Sequence, residues 1–85
     1  MTDAELITAA GEALYGDEDW RRGLARRLGE VHPEGPRATM DPRTVGRWGS
    51  GEREAPDWVL PMLARLLRER AADASELARQ IETTR

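Results

Sequence analysis

Asp41-Pro42-Arg43-Thr44-Val45-Gly46-Arg47-Trp48-Gly49-Ser50-Gly51 is the stretch on which the fold turns. Asp41 carries the short acceptor side chain of a helix N-cap, and Pro42 suits the first helical position, where no amide donor is needed. Met40, just before the cap, is placed to pack on Val45 as a hydrophobic staple. Val45 and Trp48 stand three residues apart and point inward together. Gly49 and Gly51 limit this helix to about two turns. Burying Val45 and Trp48 leaves Arg43, Thr44, Arg47 and Ser50 facing outward, while Gly46, with no side chain, allows something to approach closely.

Upstream of this helix, residues 30–39 (Glu-Val-His-Pro-Glu-Gly-Pro-Arg-Ala-Thr) break the helical pattern. Pro33, Gly35 and Pro36 make the segment a loop, with His32 a loop residue. Before it, Trp20, Leu24, Ala25 and Leu28 recur as one buried stripe, with Arg21, Arg22, Arg26 and Arg27 elsewhere on the same helix. Asp17, Glu18 and Asp19 open that helix, at the positive end of its dipole, and Gly29 reads as its terminator. Arg26 and Arg27 are either paired with acids or available to a partner. At the chain start, Thr2 and Glu5 have the spacing of a capping box. Leu6, Ile7, Ala10, Ala13 and Leu14 follow at helical intervals, and Gly16 suits the left-handed position after the helix.

Downstream, Pro56-Asp57 starts a fourth helix with Val59, Leu60, Leu63, Leu66 and Leu67 on its apolar face. Pro61 forfeits a backbone bond unless it sits in the first turn, so the regular helix is placed mostly after it. Ala71, Ala74, Leu77, Ala78 and Ile81 keep the period. Asp73 and Glu76 could recap the chain, and a break or bend there is slightly favoured over one long helix. Trp58 lies off the stripe and either caps the core or faces a second copy.

An 85-residue chain makes one domain with room for one small core. It holds no cysteine and one histidine, which excludes a disulfide framework and argues against a metal centre. No apolar run is long enough to span a membrane, and the acidic first residues do not resemble a signal peptide. The expectation is a soluble, cytoplasmic chain without cofactor. The net charge of −3 is unevenly spread: −6 over residues 1–20, +4 over 21–53 and −1 over 54–85. The acidic start reads as a solvated face that limits non-specific contacts, or as a surface imitating nucleic acid. All 13 bases are arginine, whose planar fork suits phosphate and guanine. No phosphate loop or nucleophile–base pairing is visible, so no enzyme chemistry is expected.

Taken in order, Leu24-Ala25-Arg26-Arg27-Leu28-Gly29, then Asp41, Thr44-Val45, Trp48, Gly51 and Pro56, resemble a helix-turn-helix of the Cro and phage-repressor (XRE-like) type over about residues 12–70. The resemblance implies an all-α, compact bundle of four to five helices containing a helix-turn-helix. It implies a single domain over 1–85, the motif at about 18–52 and C-terminal helices at 56–83. It further implies a non-enzymatic, sequence-specific regulator, a repressor that binds double-stranded DNA as a dimer at a palindromic operator. Arg43 and Arg47 would read guanine, surface salt bridges being the alternative, Thr44 and Ser50 would touch base or phosphate, and Arg21, Arg22 and Arg53 would hold phosphate.

The departure from the family is residues 30–39, about ten more than the usual turn. They form a solvated bulge, bring Arg37 and His32 to the DNA backbone, or change the helix crossing. Leu60, Leu63, Leu67, Ala74, Leu77 and Ile81, interrupted by Arg70, approximate a seam for a homodimer through the C-terminal segment; the same stripe could instead cover the chain's own core. A second reading of the whole chain is a protein-binding adaptor or inhibitor, antitoxin-like or phage-encoded, on the same scaffold.

Overall fold

In a computed structural model that describes residues 1–16, 19–36 and 40–84, the chain forms four helices. They are α1 (Asp3–Tyr15), α2 (Trp20–Glu30), α3 (Pro42–Ser50) and α4 (Val59–Thr83), with no strand among the described residues. The all-α expectation therefore holds. Asp17, Glu18 and Arg37 lie outside the described residues.

The capping box forms as its spacing predicts. Thr2 Oγ1 accepts the Glu5 N–H at 3.1 Å, and Glu5 Oε1 accepts the Thr2 N–H at 2.8 Å. The Thr2 backbone N–H, and after it the Thr2 side chain, hold the Glu5 carboxyl below its ordinary value. At the other end Gly16 takes φ 83 but an extended ψ of −178, so it turns the chain out of the helix without being left-handed helical. Asp19 is the N-cap of α2, in a left-handed conformation at φ 50 and without a side-chain cap bond.

Packing follows the stripes. Ile7, Ala10 and Leu14 of α1 meet Trp20, Leu24, Ala25 and Leu28 of α2, Val45 and Trp48 of α3, and Val59, Leu63 and Leu66 of α4 in one core. Helix α1 packs against all three others, and α2 packs against α3. Leu6 and Ala13 stay exposed, on the edge of the α1 stripe.

Trp20 is the wedge of this core. A Cβ on Gly11 of α1 would overlap its ring, and one on Gly49 of α3 would come within 2.8 Å of Cη2. Two glycines on different helices thus make the slot in which the indole, only 3% exposed, sits. Thr8 Oγ1 donates to the Gly49 carbonyl at 3.0 Å and fastens α1 to α3 beside that slot.

Three boundaries differ from expectation. Gly29 does not end α2: it is buried and helical, and the helix runs on to Glu30. Its small size serves packing there, and positive φ in the following loop falls to Gly35. Helix α4 begins at Val59 rather than at Pro56-Asp57, because the Pro56 carbonyl first accepts the Val59 N–H in a tight turn, 3.0 Å. Pro61 is then third in the helix, in the first turn, where its missing N–H costs nothing. Finally, α4 runs unbroken for 25 residues, with no recapping at Asp73. Ala71, Ala72, Ala74 and Ala78 favour helix strongly enough to carry it through.

At 1.5 Å per residue α4 is about 37 Å long, in a molecule whose longest extent is 50 Å. Its first half is in the core, while every residue from Arg68 to Thr84 is exposed.

The Trp20 slot makes a sharp prediction. In a helix interior Gly→Ala ordinarily gains about 1 kcal/mol, but at Gly11 the ring must move to admit the methyl, and overpacking costs about 1–3 kcal/mol. Gly11→Ala is therefore expected to lower stability in urea denaturation, whereas Ala13→Ser on the exposed side should change it by under about 0.5 kcal/mol. A stabilised Gly11→Ala variant would show that the slot is not tight.

Candidate nucleic-acid interface

Both ends of α3 are pinned. At its start Asp41 Oδ1 accepts the Arg43 N–H at 2.9 Å, with Pro42 at the first helical position. The Met40 N–H donates to the Ala25 carbonyl at 3.1 Å, which ties the end of the loop to α2. Met40 itself is half-buried against the core, in keeping with a staple. At the far end Gly51 adopts the left-handed conformation at φ 83, and the Arg53 N–H returns to the Arg47 carbonyl at 3.2 Å. Between these pins Val45 and Trp48 are buried, as their spacing predicts.

The outward residues then share a face. At 100° per residue, Arg43, Arg47 and Ser50 fall within roughly 60° of one another, with Thr44 at the margin. Arg43, Arg47 and Ser50 are exposed and Thr44 is half-buried.

Arg21 joins this stripe from α2. Its guanidinium carbon lies 4.7 Å from the Trp20 ring centroid, a cation–π contact. Its Cδ passes within 3.2 Å of where a Cβ on Gly46 would stand. Gly46 was expected to leave room for an approaching ligand; the room is taken by Arg21, which is thereby laid beside the α3 stripe. Arg22 is exposed on α2, and Arg53 sits just past α3, in a crevice shared with Asp3 at the start of α1. Arg37 lies outside the described residues.

Carboxylates also stand at this face: the surface salt bridges weighed as the alternative for Arg43 and Arg47 form, with partners that the sequence reading did not single out. Arg43 Nη2 contacts Asp41 Oδ2 at 3.2 Å, and Arg47 Nε contacts Glu52 Oε2 at 3.6 Å. The Asp41 carboxyl is held below its ordinary value of 3.8, mainly by the Arg43 backbone N–H and then by its side chain. The signal was present: the cap acid is two residues before Arg43 and Glu52 five after Arg47. Ser50 is committed locally too, its hydroxyl donating to the Arg47 carbonyl at 3.2 Å. Arg43 remains 82% exposed in its side chain, so its pair is a weak surface contact that a phosphate or base can replace.

The other arginines divide cleanly. Arg27 bridges Glu30 at 2.9 Å and Glu69 of α4 at 3.7 Å, so it is structural, whereas Arg26 is exposed. The loop is not a free bulge at its start. Val31 packs on the core, and the His32 ring meets Trp58 edge-on at 5.1 Å between centroids. Trp58 in turn is half-buried and packs on the core. Among the described residues no group of three or more histidines or carboxylates is placed to hold a metal ion, and no helix is long and apolar enough to cross a membrane.

No family model, curated protein or solved structure matches the chain.

The Asp41 cap has a pH signature. Its folded value lies below the unfolded one, so the ionised carboxylate stabilises the fold above about pH 3.8. That contribution is lost as pH falls through the lower, folded value. Asn at this position keeps an acceptor but does not titrate. The melting temperature of Asp41→Asn should therefore fall less than that of the wild type between about pH 5 and pH 2; parallel losses would remove Asp41 from the acid response.

Proposed function

We propose that this chain is a non-enzymatic, sequence-specific double-stranded DNA-binding regulator that acts in the cytoplasm as a repressor. In this reading α2 and α3 are the two helices of a helix-turn-helix with an enlarged loop, and α3 enters the major groove. The observation that carries it is the α3 stripe: a short helix held at both ends, with Arg43 and Arg47 on one exposed face and Arg21 laid alongside.

The groove admits one helix, and residues near its start meet the base edges. Arg43 lies in the first turn and Arg47 one turn on. Each guanidinium can exchange its carboxylate for guanine O6 and N7. Thr44 offers a hydroxyl and a methyl at the margin. Arg21, Arg22 and Arg53 border the same helix and serve as phosphate contacts, a role that Arg37 would share. One short helix reads only a few base pairs, so a palindromic operator and a homodimer through the exposed part of α4 complete the reading. Bound there, the protein represses by blocking promoter access.

A second reading is favoured by the acids. Asp41 and Glu52 already neutralise Arg43 and Arg47, and the chain as a whole is at −3. Such a mixed-charge stripe also suits a protein partner, which would make the chain an adaptor or inhibitor. Salt separates the two readings. Binding to DNA releases counterions, and log affinity falls with log salt by about 0.9 per phosphate neutralised.

Fluorescence anisotropy on fragments from upstream of the chain's own coding region tests both readings. Arg43→Ala and Arg47→Ala should each lose about 1–3 kcal/mol on the preferred site and relax base preference. Arg21→Ala and Arg53→Ala should weaken all sequences alike. Absence of binding at low salt sinks the DNA reading, and equal losses on every sequence sink the division into base and phosphate readers.

A further inference from the structure

The exposed half of α4 carries an apolar strip that none of the described residues covers. Leu77 and Ile81 are 58% and 63% exposed, far more than any other large apolar side chain beyond the first turn of α1. Leu60, Ala64, Leu67, Ala71, Ala74, Ala78 and Ile81 follow one another at alternating spacings of four and three, the repeat of a two-helix seam. At its lower end the strip opens into a groove between α1 and α4 lined by Leu6, Ala10, Leu60, Leu63, Ala64 and Leu67. Arg70, which breaks the coarser stripe, is drawn off the seam: its Nη1 donates to the Leu14 carbonyl at the end of α1, 3.1 Å.

The residues flanking the strip say what covers it. On one side stand Arg68, Ser75 and Glu82, seven apart, and on the other Arg70, Leu77 and Thr84. A parallel pair would set these two sides against each other and match no opposite charges. An antiparallel pair sets each side against itself. One register then places Ala71 opposite Ile81 of the partner subunit and Ala74 opposite Ala78 of the partner subunit. In that register Arg68 faces Glu82 of the partner subunit, twice by symmetry, and Leu77 meets Leu77 of the partner subunit across the two-fold axis. Arg68 and Glu82 are exposed and make no ion pair among the described residues. Ala71 accepts the larger Ile81, and the overlap runs from Arg68 to Thr84, the stretch that the described residues leave exposed.

We infer that the projecting half of α4 is an antiparallel self-association surface whose occupant is a second copy of this chain, with Arg68–Glu82 pairs fixing the register. The inference rests on the dimeric reading above and specifies its geometry. The axis passes near Glu76, about 13 residues from Leu63 at the centre of the core-bound half, so at 1.5 Å per residue the two bodies lie about 40 Å apart. That is on the order of the separation between successive major-groove half-sites.

Sedimentation equilibrium on the full chain without DNA tests this. The wild type should dimerise. Arg68→Glu turns both pairs repulsive and should weaken the dimer about tenfold or more, while Arg68→Glu with Glu82→Arg in the same chain should restore it. Circular dichroism monitors the fold. Because the chain has no cysteine, Leu77→Cys and Ile81→Cys can be probed cleanly with a short bis-maleimide, and only Leu77→Cys should cross-link to itself. A monomeric wild type, a double swap that does not restore association, or self-linking at position 81 but not 77 would each overturn the inference. A monomer that binds one DNA sequence selectively would remove the seam and leave the α3 reading standing. A dimer that binds no DNA would do the reverse.

Discussion

The indole of Trp20, seated between Gly11 and Gly49, is the contact on which the rest of the architecture hangs. A buried tryptophan removes about 150–250 Å² from water, worth at most about 4–6 kcal/mol at 25 cal/mol per Å². A small domain has a net stability of only about 5–15 kcal/mol. One side chain therefore contributes an amount comparable with the whole margin, and it acts on three helices at once. It belongs to α2, its ring lies on α1, and its far edge touches α3. The adjoining bond from Thr8 to the Gly49 carbonyl adds direction to that packing.

The same ring connects the core to the exposed face. Arg21 lies on Trp20 and crosses Gly46, so the position of a surface cation is set by a buried aromatic group and by the absence of a side chain on α3. Arg43 and Arg47 are held differently, by carboxylates at either end of their helix. Those acids confine the guanidiniums near the α3 surface and also compete for them. Such competition weakens attraction to any polyanion in general. It is offset only where a ligand presents acceptors in the geometry of a guanidinium fork, so the mixed charge favours selectivity over affinity.

Much of this was legible in the sequence because the signals were local. The Thr2–Glu5 box, the Asp41-Pro42 start and the inward pair Val45 and Trp48 each depend on residues within one turn, and each formed as expected. Signals that needed tertiary context were misread. Gly29 looked like a stop because glycine so often follows a helix, yet burial gave it a packing role instead. Gly46 looked open because nothing in the sequence reveals that Arg21 will lie over it. The break anticipated at Asp73 rested on capping chemistry, which four nearby alanines outweigh. At the stripe itself, the arginines were visible from the burial of their neighbours. Surface salt bridges were the alternative weighed for Arg43 and Arg47, but Asp41 and Glu52 were not singled out as the partners, although both acids lie close in sequence.

Helix α4 is where local and global demands part. Its first half is fixed by Val59, Leu63 and Leu66 in the core and by Arg27 and Arg70 reaching Glu69 and the end of α1. Among the described residues, its second half has helix propensity, the Glu76–Arg79 pair and the Thr83 and Thr84 hydroxyls on the Gln80 carbonyl behind it. Most helical stability in proteins comes from packing rather than from propensity, and starting a free helix is costly. Here nucleation is already provided by the anchored half, so each further residue adds a bond without repeating the entropic cost of a first turn. The anchored core thus holds out a helix whose start it has already provided. The exposed leucine and isoleucine it carries, Leu77 and Ile81, are the kind of side chain that hydrophobic association can use.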